Sequence, residues 1–158
     1  MGVVGLARYV VAALLVLLAG LPAAQAHESR PAYLEIRETA PGQYALLFRT
    51  PVLAGRRLPL LLGLPAGVKD LKAPVTQELT DSLVERRWID AGPNGLAGER
   101  VEIKGLQFTI TDALVRVELL DGRTVQTIVR PSQPWVEIEP RRSALRVAAD
   151  YIHHGTLG

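Results

Sequence analysis

The chain has 158 residues, 48 % of them hydrophobic, with 18 basic and 16 acidic side chains. That length suits one domain plus a short extra segment, and so even a charge balance gives no basic face of the kind that grips nucleic acid. There is no cysteine, which excludes disulfides, thiolate metal sites, iron–sulfur ligation and a cysteine nucleophile together.

Residues 1–26 read as a cleavable secretory signal. Arg8 is their only charge, and Val10–Leu21 is an apolar run of signal-core length. Pro22 then breaks the run, and Ala24-Gln25-Ala26 has the small-x-small pattern of a cleavage site. As a membrane anchor, the uncharged stretch Tyr9–Ala26 falls slightly short of the ~20 apolar residues of a spanning helix. Cleavage gives an exported, periplasmic product beginning at His27; an uncleaved signal would leave it attached to the membrane. Without the signal, 17 basic side chains face 16 acidic ones.

Period-two alternation dominates the rest, the mark of strands with one buried face. Leu34 and Ile36 alternate with Glu35 and Arg37. Pro41-Gly42 makes a turn, and Tyr44, Leu46 and Phe48 share a face of the partner strand. Leu58–Leu62 predicts a short buried strand. Leu83–Ile89 alternates imperfectly, with Trp88 as its expected core residue. A loop at 91–95 leads to Val101 and Ile103, then to Leu106, Phe108 and Ile110, which predict a strand with Phe108 in the core. Val115, Val117 and Leu119 follow, and Asp121-Gly122 is the strongest hairpin signal in the chain. Val125–Val129 returns as the partner strand, and Trp135–Ile138 is the last.

In the tail the period changes. Ser143 can cap a helix with Leu145, Ala148, Ala149 and Ile152 on one stripe. The expected fold is all-β: an antiparallel β-sandwich of about seven to nine strands over residues 27–140, then a short C-terminal helix over 141–158.

Acidic residues fall about one per strand on expected solvent-facing positions, where charge keeps strand edges soluble. No Gly-rich phosphate loop joins a strand to a helix, and Ser29, Ser82, Ser132 and Ser143 lack the flanking glycines of a nucleophile elbow. His27, His153 and His154 all lie at the ends of the mature chain. No enzyme is expected.

Cleavage after Ala26 would give His27 a free α-amine, which with its own imidazole can chelate one metal ion. Glu28 could add an oxygen. An amine pKa near ~8 lets a metal displace the proton, and copper(II) or nickel(II) suits such a nitrogen pair. No cofactor is required for folding, so this divalent metal is the one cofactor the residues suggest. The alternative is that His27 is simply a polar residue after a cleavage site. His153 and His154 are adjacent, so on a helix they point about 100° apart and cannot grip an ion as an i, i+4 pair does.

The run Ala26-His27-Glu28-Ser29-Arg30-Pro31-Ala32-Tyr33-Leu34-Glu35-Ile36 resembles the start of the extracytoplasmic domain of HupE/UreJ-type membrane proteins. The stretch from Gly105 through Arg116, and Arg130-Pro131 with Pro134, resemble the same family, and the likeness spans essentially all of residues 26–158. The resemblance implies a non-enzymatic periplasmic domain, an accessory or metal-capturing module tied to transport of nickel or other metals. It also implies membrane helices after the domain, to which Tyr151-Ile152-His153-His154-Gly155 is similar as a junction. The sequence ends at Gly158. It is therefore expected to be either a piece of a longer protein or a stand-alone domain, with membrane helices of the same or a neighbouring protein as partners. The second reading is a cell-envelope β-sandwich that binds protein partners without metal.

Overall fold

The computed structural model describes residues 2–19 and 30–140. The apolar N-terminal run forms helix α1, Val3–Ala19, rich in the Ala and Leu that favour helix. No helix among the described residues is long and apolar enough to cross a membrane. The expected cleavage site at Ala24–Ala26 and the expected C-terminal helix at 141–158 lie outside the described residues.

From Ala32 the chain is built of strands in two sheets. The larger contains β1 (Ala32–Ala40), β2 (Gln43–Leu53), β3 (Arg56–Arg57), β5 (Lys69–Glu78), β6 (Ser82–Asp90), β8 (Ala113–Glu118) and β9 (Thr124–Val129). Its order is β5-β6-β2-β1-β8-β9, with β3 paired to β2. The smaller has the order β10-β7-β4, from Trp135–Glu137, Arg100–Lys104 and Leu61–Gly63. These ten strands outnumber the expected seven to nine, because two-residue β3 and solvent-bathed β5 carry no alternation to read.

The alternating residues do face inward. Leu34 and Ile36 of β1, Tyr44, Leu46 and Phe48 of β2, and Val115 and Val117 of β8 join Val101 and Ile103 of β7 and Val136 of β10 in one buried cluster. Each such side chain contributes about 1.5–3 kcal/mol of burial, and residues of both sheets share this one core. The β8–β9 hairpin forms as expected, joined through Leu119–Arg123. There Asp121 Oδ1 accepts the Arg123 N–H at 3.0 Å, a side-chain turn that Asp readily makes.

The antiparallel expectation needs correction. β1 pairs antiparallel with β2 but parallel with β8, Leu34 beside Val115 and Ile36 beside Val117. Alternation tells which face of a strand is buried, not which way its neighbour runs, and strands far apart in sequence are free to be parallel.

Four local expectations also change. Leu106–Phe108 is a turn of 3-10 helix, not a strand. Gly105 enters it in the left-handed region at φ 94°, and the Thr109 hydroxyl donates to the Leu106 carbonyl at 2.9 Å. Leu106 is buried, whereas Phe108 and Ile110 are 87 % and 92 % exposed. We therefore expect Phe108→Ala to change the unfolding free energy by less than about 0.5 kcal/mol in urea denaturation. Trp88 lies on the outer face, its ring covered by the Lys72 ammonium at 3.7 Å, and Ile89 fills the core in its place. In the 58–62 run, Leu60 is buried just before β4 while Leu61 points outward. Glu38, which follows Leu34 and Ile36 on the inner face, is a buried acid, and its Oε2 accepts the Leu120 N–H at 3.0 Å.

The described domain begins and ends at opposite ends of the large sheet. Arg30 sits where β1 and β8 begin, with the Ala32 N–H on the Asp112 carbonyl at 3.0 Å. Pro140 lies at the other end, its carbonyl accepting from Arg123 beside the β8–β9 turn at 3.3 Å.

Candidate functional site at the N-terminal rim

The rim where the strands of the domain begin lies closest in sequence to His27 and Glu28. Those two residues, and His153 and His154, lie outside the described residues, so their expected metal chemistry is approached from Arg30 onward. Arg30 Nη1 donates to Asp81 Oδ2 at 2.7 Å, and the Ser82 hydroxyl donates to Asp81 Oδ1 at 3.0 Å. Asp81 stands in the bend before β6, where its carbonyl also accepts the Val52 N–H at 2.9 Å. Both side chains of the Arg30–Asp81 pair are more than half exposed, so the pair positions the first residues of the domain and adds little stability.

Beside this pair is a groove of about 340 Å³, lined by Tyr33, Arg49, Pro51 and Leu114 as well as Arg30 and Asp81. The Arg49 guanidinium lies 5.8 Å from the centre of the Tyr33 ring, within the range of a cation–π contact. Tyr33 donates its hydroxyl hydrogen to Glu35 Oε2 at 3.0 Å. Partial burial first, and this bond to a carboxylate second, hold the phenol above its ordinary pKa, so Tyr33 remains a neutral donor. Pro31 and Leu114 continue into a second depression of about 330 Å³ with Ile110, Asp112 and Ile128. One side of the rim is thus apolar.

Among the described residues, no three His, Asp or Glu side chains converge on a point. Asp81 already faces a guanidinium, which competes with any cation for the same oxygens. Asp81, Tyr33 and Arg49 are brought together from three strands or bends far apart in sequence. Among the described residues Glu38 is the one buried acid, an exception to the solvent-facing placement expected for nearly all of them. Neither a protein-family model, nor a curated protein, nor a solved structure matches this chain.

Proposed function

We propose that the domain is a β-sandwich exported to the periplasm. In this reading it is a non-enzymatic accessory or metal-capturing module of the HupE/UreJ kind, linked to transport of nickel or another divalent metal. The carrying observation is the order of parts along the chain. The signal-like run ends at Ala26, and β1 begins at Ala32, so an N-terminus at His27 would be only three residues from the Arg30–Asp81 anchor. At about 3.3–3.6 Å per residue, the chelating amine and imidazole would stay within roughly 11 Å of Arg30. A second reading, a protein-binding domain of the cell envelope without metal, draws on exposed Phe108 and Ile110, since exposed apolar patches commonly mark contact sites.

Calorimetric titration of copper(II) and nickel(II) into protein beginning at His27 separates the two. Binding is expected, and His27→Ala should weaken it by roughly tenfold or more, because the chelate ring then loses its imidazole. The amine and the imidazole must both lose protons to bind, with ordinary pKa values near ~8 and ~6.5. Affinity should therefore fall steadily as pH drops from about 8 to about 5. Equal affinity of the two proteins would remove the N-terminal site. Absence of binding in both would favour the protein-binding reading.

A further inference from the structure

We propose that the outer face of the large sheet docks on a bilayer surface containing anionic lipid, through Arg37, Arg49, Lys72 and Arg86. Residues 30–140 carry as many acidic as basic side chains, so a cationic face can arise only by topology. The registers of β5, β6, β2 and β1 bring Lys69, Lys72, Arg86, Arg49 and Arg37 to the side away from the core. Asp90 and Glu35 are the acids among them. Asp90 Oδ1 accepts the Gly92 N–H at 2.8 Å, and Glu35 Oε2 accepts the Tyr33 hydroxyl hydrogen at 3.0 Å. Beside β1, Arg116 and Glu118 of β8 pair with each other, and β9 adds no charge. At the margins Arg30 and Arg130 stand with Asp81 and Asp112 at one end, and Arg123 with Asp121 and Glu139 at the other. The cationic excess therefore lies over four strands about 4.8 Å apart, a patch roughly 15 Å across.

Arg37, Arg49, Lys72 and Arg86 are all exposed, and among the described residues none of them forms an ion pair. Two of them touch aromatic rings instead. The Lys72 ammonium covers the Trp88 ring at 3.7 Å, and the Arg49 guanidinium lies 5.8 Å from the centre of the Tyr33 ring. The face thus presents charge outermost, with its aromatic surface beneath.

That layering favours lipid over protein as the partner. Specific protein interfaces deplete charge at their core and seat aromatic or apolar anchors there. A headgroup layer needs no such anchor, since its negative surface attracts clustered Lys and Arg whatever their spacing. Tyr and Trp suit the same boundary between polar and apolar surroundings. The outward side of the small sheet gives the contrast. There Arg100 and Lys104 share the surface with Glu102 and Glu137, and no excess remains.

The test sediments the full chain, purified as its host processes it, with vesicles of phosphatidylcholine alone or with about one third phosphatidylglycerol. Near such an anionic surface each cation contributes roughly fivefold in affinity, and the gain fades beyond a Debye length. Binding should be stronger on the anionic vesicles and fall as salt rises from about 0.05 to about 0.5 M. Arg37→Gln combined with Arg86→Gln should weaken it about twentyfold, and Lys104→Gln on the small sheet should leave it unchanged. The chain's three lysines report the orientation without any substitution. Anionic vesicles should slow acetylation of Lys69 and Lys72 but not of Lys104. Equal binding to both kinds of vesicle, or none, overturns the proposal and leaves the cations to an acidic protein. A double variant that binds as tightly as the unsubstituted chain overturns it too. So does equal protection of all three lysines, which would trace binding to net charge and not to this face.

Discussion

Replacing Ile36 with alanine is expected to lower the unfolding free energy by about 4 kcal/mol, near the upper part of the range for buried aliphatic truncations. Ile36 is wholly buried at the middle of β1, which lies between β2 and β8 in the large sheet. Its neighbours across the two ladders, Leu46 and Val117, belong to the same cluster. Both flanking strands are hydrogen-bonded to β1, so the backbone cannot close in on the lost atoms, and the cavity remains. Domains of this size are stable by only about 5–15 kcal/mol. Urea denaturation should show an earlier midpoint with an unchanged slope. A loss below about 1 kcal/mol would mean that the two sheets do not share a close-packed core.

The second large effect is expected at Gly42, in the turn between β1 and β2. Its φ of 75° lies in the left-handed region, and a Cβ there would run into the Gly92 carbonyl oxygen. The Gly42 carbonyl in turn accepts the Ala91 N–H at 2.8 Å, so the turn is tied to the loop that follows β6. Gly42→Ala should therefore cost more than about 2 kcal/mol, combining strain in φ with a backbone clash. Gly122, in the β8–β9 turn, supplies the comparison. Its φ is 85°, yet a Cβ there would meet nothing within 4 Å. Gly122→Ala should cost only the conformational part, about 1–2 kcal/mol. Equal losses by thermal or urea unfolding would show that Gly92 moves aside and that the close approach carries no energy.

Much of this fold can be read from alternation, wherever a strand has one buried and one wet face. Tyr44, Leu46 and Phe48 are such a case, and Val115 and Val117 another. The same rule misleads at Leu106, Phe108 and Ile110, which alternate just as cleanly. There Gly105 and the Thr109 hydroxyl turn the chain through a 3-10 helix, and the second and third apolar residues end in solvent. β6 reads poorly for a different reason. Its inward positions pass from Ile89, in the core, to Arg87 and Glu85, beside Leu46 and Phe48. Arg87 there meets Asp70 of the exposed β5 at 3.0 Å. A strand whose inner face leaves the core partway along shows no single period. The parallel match of β1 with β8 and the meeting of Arg30 with Asp81 depend on long-range topology, to which no local spacing responds.

The opposed placement of Arg30 and Pro140 has a mechanical consequence. A force pulling these two points apart acts along β1, not across it. The β1–β2 and β1–β8 ladders, which between them hold β1 from Ala32 to Ala40, are then sheared as a unit. Their hydrogen bonds are loaded together instead of being unzipped from one end. Forced unfolding is governed by the rate of crossing the barrier and not by equilibrium stability. A domain tethered at one terminus and pulled at the other would thus resist through its central strand, the one in which Leu34 and Ile36 are most deeply buried.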